Sequence, residues 1–238
     1  MEGAAWQTVS ARDLVGPSVP QEDLGFRCAR DIMSGTLVDA MRDGQEYKWV
    51  RIGYQIWMAE NLNFALTGSR CYDDDESNCD IYGRLYNWTQ MLDGDAPYDI
   101  APQAPVQGIC PDGWHLPSEE EWYTLVTYTT ENADANYDYN DTRPLRATDG
   151  WETSGGFVGT DEFGFTALAS GYYSTHFSID GYTQQGESTE FWTSRVHPNY
   201  PDVYASVGVI QYNDPDYVFT PYLQKAYPSL PVRCMMDI

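Results

Sequence analysis

The stretch from Cys110 to Trp122, C-P-D-G-W-H-L-P-S-E-E-E-W, constrains this chain more than any other. Ser118 followed by Glu121 predicts a capping box, in which the serine oxygen and the glutamate each satisfy a free backbone N–H at a helix start. Pro117 fixes the approach to that helix. Trp122, Leu125, Val126 and Thr129 then recur at helical spacing and predict one apolar face. A cysteine just ahead of an amphipathic helix can be stapled to a strand far away in sequence. The only cysteine near the end of the chain is Cys234, in S-L-P-V-R-C.

Of the five cysteines, Cys71 and Cys79 enclose a short acidic loop and are expected to pair, and Cys28 is left over. No Cys-x-x-Cys occurs, and His115, His176 and His197 are far apart, so zinc and thiol-redox readings are weak. The run Asp73-Asp74-Asp75-Glu76 reads as a solvated loop, because the spaced oxygen ligands and turn glycine of a standard calcium loop are missing. No metal and no cofactor is expected. Paired cysteines in an acidic protein point to an oxidising compartment, extracellular or at the cell surface. Residues 1–20 show neither a basic n-region nor an apolar h-region, so no signal peptide is read there.

Formal net charge is −23, from 36 acidic and 13 basic residues. Such a field repels phosphate backbones and excludes nucleic-acid binding. No apolar run approaches the ~20 residues of a membrane span. The 19 tyrosines suit a binding surface, since the ring offers rigid area and a polar tip, and suit an aromatic-rich β core equally well.

Residues 1–34 differ from the rest of the chain. They are broken by Pro17 and Pro20 and lead through G-F-R-C-A-R-D, which resembles the last strand of the formylglycine-generating (sulfatase-modifying factor) family. Nothing upstream supplies that family's catalytic cysteines. From residue 35 two or three short strands are expected, with Asp43-Gly44 as a hairpin turn and Gly53 as a second turn. After the acidic loop, Tyr82, Leu85, Trp88 or Thr89, and Leu92 fall on one helical face, with Gly94 beyond the end. Residues 132–190 read as long loops with short strands near Gly164-Phe165 and Gly171-Tyr172-Tyr173. Further strands are expected near 203–212, 216–223 and 230–235.

Within residues 35–238 a series of motifs occurs in order. They are G-T-L-V-D-A-x-R-D-G-Q-x-Y-K at 35–48, I-G-x-Q-x-W-M-A-E-N-L-N at 52–63, C-Y-x-x-x-x-x-N-C at 71–79, Y-G-R-L-Y-N-W at 82–88, C-P-D-G-W-H-L-P-S at 110–118, G-T-D-E-F-G-F-T-A-L at 159–168, F-W-T-S at 191–194 and V-R-C at 232–234. Together they resemble the Fibrobacter succinogenes major paralogous domain family. The resemblance implies an α+β, C-type-lectin-like fold with two helices, a small antiparallel sheet and long irregular loops. It implies a bacterial surface or secreted protein, and a Cys110–Cys234 pair that ties the helix to the last strand.

An enzyme reading needs a nucleophile or acid–base group with partners. His115 reads instead as a buried hydrogen-bonding histidine, and Asp161 and Glu162 lie in a turn, so no catalysis is expected. Calcium-dependent sugar binding needs a Glu-Pro-Asn or Gln-Pro-Asp triplet, which is absent, and Trp192-Thr193-Ser194 stands where a Trp-Asn-Asp triplet would be.

The C-terminal segment is different in kind. It keeps the family anchors Trp192, Ser194, Ala205, Ile210, Tyr212, Val218, Lys225, Val232, Arg233 and Cys234, and between them carries an irregular mixture that includes Val207 and Val209. The mixture is confined to residue types that adenine mutagenesis of asparagine codons can produce, which resembles the variable region of retroelement-diversified proteins. An ordinary diverged paralogue with a polar, tyrosine-rich loop is the alternative. The expected ligand face is His197, Asn199, Tyr200, Asp202, Tyr204, Ser206, Asn213, Asp214, Asp216, Tyr217, Phe219, Tyr222 and Leu223, offered to a protein or glycan partner; the alternatives are a structural surface protein without a selective ligand and an enzyme related to the formylglycine-generating family. Tyr200, Tyr204, Tyr212, Tyr217, Phe219 and Tyr222 should be partly exposed, and Trp114, Trp122 and Trp192 core. Strict alternation groups Ala205 with Val207 and Val209, whereas the family pattern groups it with Ile210 and Tyr212 and needs a bulge between 205 and 210. The family grouping is the one expected here.

Overall fold

The computed structural model describes residues 33–95 and 105–238, with backbone only over 217–222. All but the last two residues of the 1–34 segment, Cys28 included, lie outside the described residues. The rest is α+β, but with three helices and three antiparallel sheets among the described residues in place of the two helices and one small sheet expected.

The first sheet runs β1 (Ser34–Val38), β2 (Glu46–Ile52), β3 (Gln55–Met58) and β11 (Met235–Asp237). Gly44 and Gly53 take positive φ in its two turns, at 74° and 60°, which glycine adopts without a Cβ penalty. A second sheet has the order β4 (Leu85–Asn87), β10 (Pro228–Pro231), β5 (Ser170–His176) and β6 (Ile179–Gln185). The third is β7 (Ser188–Val196), β8 (Tyr204–Gln211) and β9 (Asp214–Gln224).

Helix α1 (Glu76–Tyr82) starts inside the acidic loop, α2 is Trp88–Leu92, and α3 is Glu119–Asn132. The capping box of α3 forms as the sequence predicts. Ser118 Oγ accepts the Glu121 N–H at 3.1 Å, and Glu121 Oε2 accepts the Ser118 N–H at 2.7 Å. Trp122, Leu125, Val126 and Thr129 are its buried residues. The single helix expected over 82–92 does not form. Gly83, at φ 73°, ends α1, and a Cβ there would come within 2.7 Å of Asn61 Cβ. Leu85 and Tyr86 are then pulled into β4 against β10, and Asn87 opens α2 with its own capping box.

Two apolar clusters fill the interior. One packs Trp57, Trp122, Phe165, Phe191 and Ile210 between α3 and its neighbouring strands, with Trp122 at 4.7 Å from Trp57 and 5.1 Å from Phe191. The other gathers Tyr86, Trp88, Trp114, Trp192, Val207 and Val209 around the Cys110–Cys234 disulfide. Strand β8 lies between them. Its pairing is irregular between Ala205 and Val207 and between Val209 and Gln211, so the expected bulge exists. The grouping nonetheless follows simple alternation, since Ala205, Val207 and Val209 share one cluster and Ile210 lies in the other. Because β8 is the central strand and covered on both faces, its pattern carries no polar side that would distinguish the two groupings.

Both expected disulfides are present, Cys71–Cys79 across 8 residues and Cys110–Cys234 across 124. In the chain-entropy model the longer loop contributes about 4–5 kcal/mol and the shorter about 2–3 kcal/mol. Replacing Cys110 and Cys234 by serine should therefore lower stability in urea roughly twice as much as replacing Cys71 and Cys79. Equal losses would show that strain or denatured-state structure, rather than loop closure, sets the effect.

Candidate functional site

The end of β7 turns into β8 through a compact corner at residues 197–203. The His197 N–H donates to the Tyr204 carbonyl at 3.0 Å, and the Val203 N–H to the Tyr200 carbonyl at 3.1 Å. His197 Nδ1 accepts the N–H groups of Asn199 and Tyr200 at 2.9 and 3.2 Å, so the imidazole holds the turn rather than reaching outward. The rings of His197, Tyr200 and Tyr204 lie 5.2 to 6.3 Å apart. Asn199, Tyr200 and Asp202 are exposed, while His197, Tyr204 and Leu223 are half-buried.

Beside the corner opens a cleft of about 530 Å³ lined by Trp88, Leu92, Asp95, Val196, Asp202 and Lys225. The Lys225 ammonium sits 5.0 Å over the Trp88 ring and donates to the Pro201 carbonyl. Burial holds its pKa below the ordinary lysine value. Trp88 and Asp95 were not singled out as site residues by sequence reasoning, because the β7–β8 corner approaches α2 only in the fold. Lys225 was visible as a family anchor without a role.

The other half of the expected face lies elsewhere. Asn213, Asp214 and Asp216 form the β8–β9 hairpin at the far end of β8, roughly 24 Å away at the usual strand rise. This end is tied to the loop after α3. The Pro215 carbonyl accepts the Thr142 N–H at 2.6 Å, and the Asp214 carbonyl accepts from the buried Arg146 guanidinium. Burial lowers the Arg146 pKa to about 10. Ser206 is buried, because it sits on the doubly covered central strand, and so takes no part in an exposed face. The side chains of Tyr217, Phe219 and Tyr222 lie outside the described residues. Tyr200, Tyr204 and Tyr212 are partly exposed and Trp114, Trp122 and Trp192 buried, as expected.

His115, Asp161 and Glu162, the acid–base residues weighed in the sequence, each hold part of the fold. His115 is buried, with Nε2 at 3.0 Å from Glu121 Oε1. Burial raises the Glu121 pKa, but the bonds from His115 and the Ser118 N–H outweigh it and leave the carboxyl below its usual range. Asp237 brings a third ligand atom within 4.8 Å of these two, yet both Glu121 oxygens are already occupied by the histidine and the helix cap. Asp161 braces the Thr166 N–H and hydroxyl at 2.7 and 2.8 Å, and Glu162 accepts from Tyr137 and the Asp134 N–H.

The family model for the Fibrobacter succinogenes major domain matches residues 50–235, and the chain belongs to that family. No curated protein and no solved structure matches it. Among the described residues no helix is long and apolar enough to cross a membrane.

One titratable group escaped sequence reasoning. Glu190 lies in the middle of β7 opposite Val209. The residue is half-buried, and burial alone raises its pKa from 4.5 to about 7. The folded protein therefore holds a proton there that the unfolded chain has released between these values. That contribution is complete below the unfolded pKa and is lost as pH rises through the folded one. Stability should fall by about 2–3 kcal/mol between pH 5 and pH 8 from this group. Glu190→Gln should flatten the corresponding part of a melting-temperature profile. An unchanged profile in the variant would assign the pH dependence to another group.

Proposed function

We propose that this chain is a binding module. It uses a C-type-lectin-like scaffold to present the corner at 197–203, with the adjoining cleft, to a protein or glycan partner outside the cell. The observation that carries the reading is the division of labour at the corner. Backbone hydrogen bonds and the His197 ring hold the turn, while Asn199, Tyr200 and Asp202 project from it without supporting the core. Two disulfides suit an extracellular setting. The last strand, β11, returns to the sheet begun by β1 and β2 and pairs there with β3, beside the Cys110–Cys234 disulfide, which supports the lectin-like reading. The mixture of residue types between the anchors supports diversification by a retroelement. No catalytic activity belongs to this reading.

The expected ligand face contracts accordingly to the corner and the mouth of the cleft. Replacing Tyr200 and Asp202 together by alanine should leave folding stability within about 1 kcal/mol, because exposed side chains contribute little to it. The same change should weaken partner binding at least about tenfold, measured on glycan arrays and by capture from a cell-surface extract, since a few exposed anchors dominate an interface. A variant that folds and keeps every partner of the parent would place recognition elsewhere, and a variant that unfolds would make these residues structural.

A further inference from the structure

The β5–β6 hairpin ends in a two-residue loop, Phe177-Ser178, because His176 pairs with Ile179. Loops that short draw on Gly, Asn or Asp for their backbone geometry, so turn chemistry does not call for a phenylalanine. Phe177 is 91% exposed, and folding gains almost nothing from it. The tip is nevertheless held in place. His176 Nδ1 lies 2.7 Å from Ser178 Oγ, and the His176 N–H donates to Ser174 Oγ at 3.1 Å. The His176 ring packs 4.3 Å from Phe177 and 4.9 Å from Tyr227. An exposed apolar group on a pre-ordered tip loses little entropy when it is covered.

This tip is continuous with the β7–β8 corner. The Tyr227 carbonyl accepts the Thr175 N–H at 3.1 Å, and two residues earlier the Lys225 N–H donates to the Val203 carbonyl at 3.0 Å. Phe177, Ile179, Tyr227, Val203 and Tyr200 are thus linked along one backbone path, at 91, 41, 37, 46 and 60% exposure. The ridge brings together parts of β5, β6, the turn before β10 and the β7–β8 corner, so sequence order does not reveal it.

Charge narrows the occupant. Among the described basic residues Lys48 is exposed and the 39%-exposed Arg70 side chain is paired with Asp74, while Asp180 and Asp202 are exposed beside the ridge. With a net charge of −23, the chain repels an anionic lipid surface and a second copy of itself. The Phe177 side chain, exposed and without a polar group, fits a pocket better than it fits the hydroxyl-rich face of a sugar. Building on the binding-module reading, we infer that the ridge docks a protein partner with an apolar pocket for Phe177 and a basic rim toward Asp180 and Asp202.

The test places a photo-crosslinking phenylalanine analogue at position 177, at 200, or at the exposed control Tyr139, each in the full chain, and irradiates it in a cell-surface extract. The expected result is one and the same protein joined from 177 and 200 but not from 139, through a surface segment rich in Lys and Arg. Raising salt from about 50 to about 500 mM should reduce its yield several-fold, because exposed charges are then screened. Phe177→Ser, checked for an unchanged melting temperature, should cut the yield from position 200 at least about tenfold. If that variant leaves the adduct at 200 intact, the corner binds alone, and this inference fails while the binding-module reading stands. If Tyr200→Ala with Asp202→Ala also leaves capture intact, that reading fails as well. Adducts to glycan, to a second copy, to different proteins from the two positions, or equally from 139 overturn the inference.

Discussion

The segment around Arg233 and Cys234 is the constraint on which the remaining structure depends. Arg233 is buried, and among the described residues no carboxylate is bonded to it. Its guanidinium donates to the carbonyls of Met58 and Phe165 at 3.2 and 2.6 Å and to Asn61 Oδ1 at 2.9 and 2.6 Å. The Phe165 ring lies 4.5 Å beneath the charge. Burial lowers the Arg233 pKa to about 9, and these oxygens and the aromatic face offset the cost of keeping the cation inside. Next to it, Cys234 is bonded to Cys110, and its carbonyl accepts the Met58 N–H at 3.0 Å. Met235 exchanges two backbone bonds with His115, at 2.8 and 3.0 Å. The first sheet, the turn at 164–166 and the entry to α3 are thus all registered against three consecutive residues, Arg233, Cys234 and Met235. Replacing Arg233 would leave several buried carbonyls without donors at once, which is costlier than losing one contact.

That spine explains which parts of the chain were legible in advance. The α3 capping box and apolar face were readable because they are local: one turn of chain contains both the cap and the residues it satisfies. The Cys71–Cys79 disulfide was readable from the short loop it closes, and Cys110–Cys234 through the family resemblance, since the motifs around those two residues are short and specific. The helix over 82–92 was misread because Tyr82, Leu85, Trp88 and Leu92 do keep a helical period. What breaks it is the close approach of Asn61 to Gly83, a contact between residues 22 apart. Grouping on β8 failed for a related reason. A strand buried on both faces gives alternation no polar side to report.

The candidate site divides in the same way. Asn199, Tyr200 and Asp202 were found from sequence because an irregular run between anchors is visible without a fold. Their separation from Asn213, Asp214 and Asp216 was not visible, because a hairpin places residues close in sequence at opposite ends of its strands. Trp88 and Lys225 meet over 5.0 Å only when α2 packs beneath the β7–β8 corner. Glu190 gave no signal either, since a single glutamate in a strand looks exposed until β8 and the neighbouring layer cover it.

The two ends of β8 share one property that bears on what the surface can become. At the corner the fold holds Tyr200 through its N–H and carbonyl, and it holds Val203 and Tyr204 likewise. At the hairpin, Arg146 and Thr142 bind the carbonyls of Asp214 and Pro215 rather than their side chains. A scaffold that binds backbone atoms is indifferent to the side chains they carry. Substitution at Asn199, Tyr200, Asp202 or Asn213 therefore changes the chemistry offered to a partner while the oxygens and N–H groups that fix the loop keep their partners. The central strand between the two ends lacks that freedom. Ser206, Val207 and Val209 are packed on both sides, so change there is paid in core volume. Variation compatible with this fold is confined by packing to its two ends, and only the corner end adjoins both a cleft and an exposed apolar ridge.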